Sequence, residues 1–494
     1  MKLIYKISVL LSFMFAIYAC GDDYLNPDVT EYTTGTQIEE LGETSPEALA
    51  SVLEGMVNGV YAYMAEYQGN HDVFSYMAVG LAGDLMTEDM AQLMNHWFYY
   101  DYQIDNRGAT YRRVVQSWTT AYTLVSKSNE VIGKIAPDVS DPTLKSYLGQ
   151  ALALRSLGYH IAIQRFQQTY KGNESAPGVP LYLTSMEGSD AVEFPRGTVQ
   201  DVYDQIVKDL NKSVELLDGY SRGVVKTTID QKVAAGLLAR VYMVMEDWAN
   251  AAKFANMARQ GQALMSASEC ATDGFNDINN KEWMWGGDIT GETTTQFASF
   301  FSHICTFDAG YGGEVGVYKA IDRRLFDQIG ANDARRSHFK VPGSKVDPTS
   351  ELFEEKAAIY TNLKFKKVAS WLADYVYMRA AEMYLIEAEA LAHQGNGAEA
   401  ARVLGLLMAN RDPNWNKSSV SVEDVFLQKR IELWGEGLIF YDYLRLKKGV
   451  NRNYDGTNHL EKINLSAGDW RFIYQLPQTE LDNNFAITDA DQNP

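Results

Sequence analysis

The chain has 494 residues, with 44 lysine and arginine residues against 64 aspartate and glutamate residues, and a formal net charge of −20. A hydrophobic share of 46% excludes a disordered chain, and the acidity argues against a nucleic-acid partner, because phosphate binding needs a basic surface. Three cysteines exclude a disulfide framework, and the seven histidines never fall at the close spacing of a zinc motif. The aromatic share of 12% indicates a large protein that offers rings to a ligand, rather than a metal or thiol enzyme.

The first twenty residues predict an export signal with a lipid attachment site. Lys2 and Lys6 give a positive start, an apolar run follows, and Ala19 places a small side chain before Cys20. The apolar run is too short for a spanning helix, which needs about 20 residues. Because the four residues that end at Cys20 resemble a bacterial lipobox, we expect residues 1–19 to be removed and Cys20 to be acylated. An ordinary secretory signal with an incidental cysteine is the alternative.

Residues 20–47 are polar, show little periodicity and are interpreted as the acylated N-terminus and a tether. Asp22 and Asp23, which follow the cysteine, are similar to the acidic tag that sends some lipoproteins to the cell surface. No later stretch of the sequence is apolar for long enough to span a membrane. We therefore expect a protein that is held at the cell surface, in the outer membrane, by lipid alone.

From residue 48 onward the spacing of apolar residues is that of helices. Apolar side chains recur every three or four positions over 48–64, 112–134, 143–166, 198–217, 230–245, 248–260, 375–393 and 397–409. Thr198 is the expected N-cap of the fourth of these helices, and Gly219 is expected to end it. Paired helices with alanines at their crossings resemble tetratricopeptide hairpins, while generic helical packing is the alternative. Either interpretation predicts an all-α dominated fold.

Two long irregular stretches, residues 66–110 and 262–370, separate the helical blocks. Both are rich in glycine, asparagine, aspartate and aromatic residues, and loops of this length are usually functional. Clustered exposed rings need a partner, and flat rings stack against the apolar faces of sugars. In an extended chain the consecutive rings of residues 97–102 alternate between two faces. Any single ring is about as often buried in the core as exposed. The candidate ligand platform consists of Trp97, Tyr99, Tyr100, Trp285, Phe301 and Trp371.

The motif search finds no convincing catalytic or metal centre. Ser221 lies in a G-x-S-x-G pattern, but a helix precedes it where a nucleophile elbow needs a strand. The glycine-rich run 310–313 completes no nucleotide-binding motif. Asp273, Asp277 and Asn279 offer oxygens of the kind that calcium prefers, yet they lack the EF-hand spacing. We therefore expect no catalytic metal and no cofactor. The sequence neither predicts nor excludes a structural calcium ion.

Five charged residues in the C-terminal third are interpreted as structural ion pairs. Glu432 and Glu436 are spaced to share a helix face, where like charges repel unless a cation such as Arg430 or Arg445 pairs them. Arg379 is placed in the same set of structural ion pairs. A carboxylate pair acting as a glycosidase is the catalytic alternative. It would need two carboxylates about 5–10 Å apart in a cleft, one of them with a raised pKa.

Four segments together resemble the SusD/RagB family of surface nutrient-binding lipoproteins. Lys429–Arg445 is similar to the family's R-x-x-E-L-x-x-E-G-x-R-x-x-D-L-x-R segment, and Met378–Ala390 is similar to its R-x-A-E-x-x-L-x-x-A-E-A helix. Tyr474–Asp482 and the final Gln492–Pro494 are similar to the family's ending. The chain departs from the pattern at Ile439, where the family usually has arginine. The resemblance runs along the whole mature chain.

The resemblance implies a single domain, residues 48–494, in which four tetratricopeptide-like hairpins pack with an irregular, loop-rich subdomain that binds the ligand. It also implies a partner, a TonB-dependent outer-membrane channel over which the lipoprotein sits as a lid. The implied cargo is an oligosaccharide or polysaccharide, although some relatives take peptides. We therefore expect glycan capture without catalysis. A peptide- or protein-binding lipoprotein of the same fold is the first alternative, and a surface glycosidase is the second.

Overall fold

The computed structural model describes residues 45–185, 193–293, 295, 297–306, 315–341, 359–368 and 371–494. The expected signal peptide, Cys20, nearly all of the tether and the glycine-rich run 310–313 lie outside these residues. Contacts divide the chain into a unit that ends at Glu54 and a unit from Gly55 to Pro494. The first unit is described only from residue 45. The first helix begins in it at Pro46, and all other features below belong to the second unit.

Sixteen α-helices lie in the described part of the chain. Their bounds are α1 Pro46–Ala65, α2 Ser75–Asp84, α3 Tyr99–Gln103, α4 Arg112–Gly133, α5 Pro142–Phe166, α6 Val199–Leu216, α7 Gln231–Met245, α8 Trp248–Arg259, α9 Ala267–Thr272, α10 Phe300–Ile304, α11 Arg323–Asp327, α12 Ala380–His393, α13 Gly397–Met408, α14 Val422–Glu432, α15 Ile439–Arg445 and α16 Gln478–Asn483. Short 3-10 helices cover Ala334–His338, Trp470–Phe472 and Asp489–Asp491. No helix among these residues is both long and apolar enough to cross a membrane.

The strands are short and pair two by two. They are β1 Met90–Gln92, β2 Pro177–Pro180, β3 Arg196–Thr198, β4 Trp283–Gly287, β5 Lys319–Ile321, β6 Tyr375–Arg379, β7 Val450–Asn451 and β8 Asn464–Leu465. The antiparallel pairs are β1 with β5, β2 with β3, β4 with β6 and β7 with β8. These pairs join distant parts of the chain, because β1 is bound to β5 and β4 to β6 across long sequence separations.

The long helices stack on one another in chain order. Helix α4 packs on α5, α5 on α6, α6 on α7 and α7 on α8. Helix α12 then packs against α8, α13 and α14. The predicted all-α dominated class is confirmed, and the stacking is consistent with tetratricopeptide-like hairpins.

Local signals explain where these helices begin and end. Thr198 caps α6 as expected: its side-chain oxygen accepts from the Asp201 N–H, and the Asp201 carboxylate accepts from the Thr198 N–H in return. Gly219 follows the helix with φ +76°, which a residue without a Cβ adopts at low cost. The predicted helix over 375–393 begins only at Ala380, because the preceding segment forms β6 and pairs with β4. Tyr375, Val376 and Tyr377 are residue types that favour strands.

A buried ion-pair network joins the C-terminal helices to the centre of the domain. Arg379 donates to Glu282, Glu432 and Glu436, with N···O distances of 2.7–2.8 Å. Arg411 donates to both Glu282 and Glu432. Charges that are removed from water are stable only when they are paired in this way. The network therefore fixes β4, β6 and the end of α14 to one another.

The partners expected for the two glutamates are corrected by the structure. Arg430 pairs with Glu88 and Asp89, and Arg445 pairs with Glu389 and Asp442. Helix α14 ends at Glu432, and the chain then turns through Gly435 and Gly437, both at positive φ. Glu436 therefore lies outside that helix and does not share a helix face with Glu432. The two carboxylates meet through Arg379, and Lys364 also donates to Glu436.

Candidate functional site

An aromatic pocket of about 240 Å³ opens in the first irregular stretch, beside helices α3 and α4. Its lining combines rings, carboxylates, an amide and guanidinium groups, contributed by Asp72, His96, Trp97, Phe98, Tyr99, Tyr100, Asp101, Asp105, Asn106, Tyr111, Arg112 and Arg113. Pockets that bind small molecules usually have such a lining, in which aromatic walls are combined with a few polar groups.

The backbone around α3 determines which rings reach the pocket. Phe98, Ile104 and Asn106 all have positive φ values, of 66°, 54° and 57°. Each such residue costs about 1–3 kcal/mol, and strained residues tend to cluster at functional sites. Because the short helix replaces the expected extended chain, Phe98 and Tyr102 are buried while Tyr100 is 58% exposed. The strained turns therefore direct Phe98 and Tyr102 into the core and leave Tyr100 facing solvent.

A row of neighbouring groups leads from Trp97, in the pocket wall, to the second irregular stretch. The Arg112 guanidinium lies 5.2 Å from the centroid of the Trp97 ring. On that same indole, the His71 ring stacks at 5.2 Å with an interplanar angle of 8°. The Phe297 ring lies 6.5 Å beyond His71 and is 43% exposed. Since Phe297 belongs to the second irregular stretch, the two stretches meet at this wall.

Hydrogen bonds hold the junction between the two stretches. His71 Nδ1 lies 3.1 Å from the Phe297 carbonyl oxygen. His303 Nε2 in turn lies 2.7 Å from the His71 carbonyl oxygen. The ring of His303 packs against Phe74 and Phe98, which lie beneath the pocket. Burial lowers the pKa of His303 to about 3, so this ring is a neutral part of the support at neutral pH.

The mouth of the pocket carries further rings and polar groups. Tyr99 lies 6.2 Å from Tyr100, ring centroid to ring centroid, and its hydroxyl donates to Glu461. Tyr111 is among the exposed rings of the lining. The Asn106 side-chain amide makes no hydrogen bond among the described residues, so it is available to a ligand hydroxyl. The arrangement offers flat apolar surfaces next to free hydrogen-bonding groups.

The charges of the pocket floor neutralise one another. Arg113 bridges Asp72 and Asp101, with N···O distances of 3.1 and 3.0 Å. Arg112 adds a second ion pair to Asp72. Burial alone would raise the pKa of Asp72, but the two guanidinium groups outweigh it and hold that pKa below its usual range. The floor therefore has no excess charge with which to attract a strongly ionic ligand.

The structure brings three of the six candidate rings together and places the other three in the core. Trp97, Tyr99 and Tyr100 line the pocket. Trp285 is fully buried in β4, where its indole N–H donates to the Thr227 carbonyl oxygen. Phe301 is buried against Phe300, Phe365 and Tyr375. Trp371 is also buried, beneath Lys367.

The physical reason for this correction is that the second irregular stretch is more regular than its composition indicates. Trp285 lies on a paired strand with both faces covered, and Phe301 lies on the short helix α10. Residues 307–314, 342–358 and 369–370 of the stretch lie outside the described residues. Phe297 and His303 are rings of this stretch that contact the first one.

Several residues of the site are not among the predicted ones. Phe297 lies in the second irregular stretch, but nothing in the sequence distinguishes it from its buried neighbours. Tyr111 and Arg112 lie at the start of the predicted helix over 112–134. A tyrosine followed by two arginines at the start of a helix is a sequence pattern that could have indicated a binding residue here. His71 and Asn106 carry no signal in a single sequence, because their roles depend on contacts across the fold.

The residues considered above as calcium ligands or as a nucleophile form hydrogen bonds with nearby residues of the chain. Asp273 accepts from the Phe275 N–H, and Asp277 accepts from the N–H of Asn279. Ser221 accepts from the N–H of Gly223, two residues on. Within the described ranges, no group of three or more histidine, cysteine, aspartate or glutamate side chains could hold a metal ion.

Two family models match the sequence over most of its length. Residues 37–243 match a model described as starch-binding and associating with the outer membrane. Residues 356–494 match the model of the SusD family. No curated protein matches the chain.

Solved structures with the same fold come from several species of Bacteroides. A SusD-like carbohydrate-binding protein from Bacteroides vulgatus is 26% identical, with a TM-score of 0.78, and the match covers 90% of this chain and 98% of that one. A SusD superfamily protein from Bacteroides thetaiotaomicron is 22% identical, with a TM-score of 0.74 and coverages of 90% and 99%. Surface glycan-binding protein A from Bacteroides uniformis is 16% identical, with a TM-score of 0.68 and the same coverages.

Proposed function

The chain belongs to the SusD/RagB family, and from this premise we propose that it captures a glycan in the aromatic pocket and delivers it to a TonB-dependent outer-membrane channel. It does so without catalysis and without a cofactor. The likeness to a carbohydrate-binding structure that is 26% identical supports the glycan as ligand.

The observation that carries the proposal is the cluster of accessible rings around α3. Trp97, Tyr99 and Tyr100 line a single pocket, and Phe297 lies next to the His71 ring that stacks on Trp97. The apolar C–H face of a sugar stacks on such rings, while its hydroxyls need partners such as the Asn106 amide and the Asp105 carboxylate. Because the floor charges are paired, a neutral glycan suits this pocket better than a strongly anionic one.

The state of the pocket carboxylates supports binding rather than hydrolysis. A glycosidase needs one carboxylic acid whose pKa is raised, so that it is protonated near neutral pH and donates to the leaving oxygen. Arg112 and Arg113 do the opposite to Asp72, because they hold its pKa below the usual range. Asp101 is bound to the same Arg113 and is buried beneath the rings.

The cellular setting is proposed from the sequence and the family. The lipobox-like segment supports acylation at Cys20, and the acidic pair after it supports exposure at the cell surface. The family model that matches residues 37–243 is described as associating with the outer membrane. A lipid-anchored binding protein needs a channel through which its glycan crosses the outer membrane. We assign this transport to the TonB-dependent partner.

A glycan-array screen of the protein without residues 1–20 tests the proposal. We expect saturable binding of one neutral glycan class, and no new reducing ends when that glycan is incubated with the protein. Trp97→Ala should abolish most of the signal, whereas the matched variant Trp470→Ala should not, since Trp470 is 53% exposed but lies outside the pocket. Turnover of the glycan, or binding of peptides in place of any glycan, would contradict the proposal.

A further inference from the structure

A second pocket, of about 250 Å³, shares no lining residue with the first. It lies between helix α4, the segment after strand β2 and helix α16. Trp118 and Tyr122 come from α4, Tyr182 follows β2, and Glu480 projects from α16. Nothing in the proposed capture of a glycan uses this pocket.

The three rings of this second pocket form a corner rather than a flat platform. The Trp118 and Tyr122 centroids are 4.4 Å apart, with an interplanar angle of 33°. The Tyr122 and Tyr182 rings are 5.4 Å apart at 72°. Both hydroxyls are in use, because Tyr122 donates to the Pro180 carbonyl oxygen and Tyr182 donates to Glu480. A compact ligand group in this corner therefore meets aromatic surface on more than one side.

A carboxylate stands beside the rings with one oxygen free. Glu480 is the one charged side chain among the described residues that line the pocket. Its Oε1 accepts from the Tyr182 hydroxyl at 2.6 Å and from the Asn484 amide at 2.8 Å. Its Oε2 makes no hydrogen bond among the described residues. The pKa of Tyr182 is raised, by burial first and by the neighbouring Glu480 second.

Two amides beside the rings are already in use. The Asn129 amide donates to the carbonyl oxygens of Tyr182 and Thr184, and its own oxygen accepts from Arg155. The Asn484 amide is used in the same way, by Phe194 and Glu480. The carboxylate of Glu480 is therefore the charged group that a ligand meets beside the rings.

We propose that this second pocket binds an alkylammonium group, with the rings of Trp118, Tyr122 and Tyr182 around the cation and the carboxylate of Glu480 as its counter-charge. Aromatic rings attract cations through the negative face of their π-systems, and quaternary ammonium groups are recognised in aromatic cages of this kind. A carboxylate beside the rings strengthens the attraction. The group would come from a small amine or from a lysine side chain.

The test compares choline with 3,3-dimethylbutan-1-ol, which has the same shape without the charge, by calorimetric titration of the full-length protein. We expect saturable binding of choline and at least tenfold weaker binding of the neutral alcohol. Glucosamine and Nα-acetyl-lysine amide then distinguish an amino sugar from a lysine side chain as the source of the cation. Equal binding of choline and the alcohol, or no binding of choline by the folded protein, would overturn the proposal.

Two variants assign the binding to this pocket. Glu480→Gln should weaken choline binding about tenfold, and Tyr122→Leu, which removes a ring of the corner, should weaken it as well. Trp97→Ala, in the first pocket, and Glu423→Gln, whose side chain is 70% exposed, should leave choline binding unchanged. If Glu480→Gln binds choline like the wild type, the pocket is not the site. Should that variant fail to fold, the comparison of choline with the neutral alcohol on the wild-type protein remains decisive.

Discussion

Glu432 is a single buried side chain that stabilises the fold through several ion pairs. Its carboxylate accepts from Arg335, Arg379 and Arg411. Burial alone would raise its pKa, but the three guanidinium groups outweigh that effect and hold the pKa of Glu432 well below its usual range. A carboxyl group whose pKa is depressed in the folded state contributes stability above its unfolded pKa of about 4.5, and the contribution is lost as the pH falls.

Glu432→Ala should therefore lower the free energy of unfolding by several kcal/mol at pH 7, because three guanidinium groups lose a partner in the core. Urea denaturation measures the loss, and Glu423→Ala on the exposed face of α14 should cost less than about 1 kcal/mol. Glycan affinity of the folded fraction should stay the same, since Glu432 lines neither pocket. Lost binding with unchanged stability would reverse this interpretation.

Lys319 is the opposite case, a buried lysine that has no carboxylate partner among the residues that the structure describes. Its ammonium donates to the Val317 carbonyl oxygen at 3.3 Å, and burial lowers its pKa to about 7. Its unfolded pKa is about 10.5, so the unfolded chain binds more protons between pH 7 and 10.5. Stability therefore rises with pH across this window.

Lys319→Met should stabilise the protein by roughly 2–4 kcal/mol at pH 7, because the cost of burying the lysine disappears while the packing is nearly kept. The gain should shrink as the pH is raised toward 10.5 and vanish above it, because only there is the lysine neutral in both states. Thermal melting of the variant and the wild type at several pH values measures this change in the stability difference. A gain that does not depend on pH would show that packing, and not the buried charge, is responsible.

At the scale of elements, helix α2 and the turn before α15 approach each other through two glycines. A Cβ added at Gly437 would lie 2.6 Å from the Cα of Gly80, and the Gly437 N–H donates to Asp84 at 2.8 Å. Gly437 also has a φ of +79°. The contact is backbone against backbone, so no side chain can move away to relieve it.

Gly437→Ala should destabilise the protein by roughly 2–4 kcal/mol, from the strained φ and the clash together. Gly468→Ala is the matched control, because Gly468 has a φ of +72° with nothing within 4 Å of an added Cβ. That variant should cost only about 1 kcal/mol. If denaturation gives equal losses for the two variants, the close approach of the two backbones contributes nothing to stability.

The elements that sequence could predict are those governed by local signals. Helix α6 begins after the Thr198 cap, and α7 and α8 match their predicted bounds within a residue or two, because their stripes are long and periodic. Strand β6 was missed, since its pairing with β4 is non-local. The same limit explains the rings: Trp285 and Phe297 look alike in sequence, and only tertiary contacts bury the first and expose the second.

At the scale of the whole molecule, the proposed function depends on where the protein is held. Cys20→Ala should remove the lipid and leave the chain free of the outer membrane, whereas Cys305→Ala, a buried thiol in the folded domain, should not. Incorporation of labelled lipid and protease shaving of intact cells measure the two effects. A Cys20→Ala protein that still takes up lipid and stays at the surface would contradict the anchor.

The central claim is that one aromatic pocket, around Trp97 and Tyr100, captures the glycan without changing it. Calorimetric titration of the glycan that the array identifies tests it most directly, with the wild type compared with Trp97→Ala, Tyr100→Ala and Trp470→Ala. The account predicts a Kd on the order of micromolar to millimolar for the wild type and for Trp470→Ala, and a loss of tenfold or more for the two pocket variants. Wild-type affinity in folded Trp97→Ala and Tyr100→Ala would contradict it.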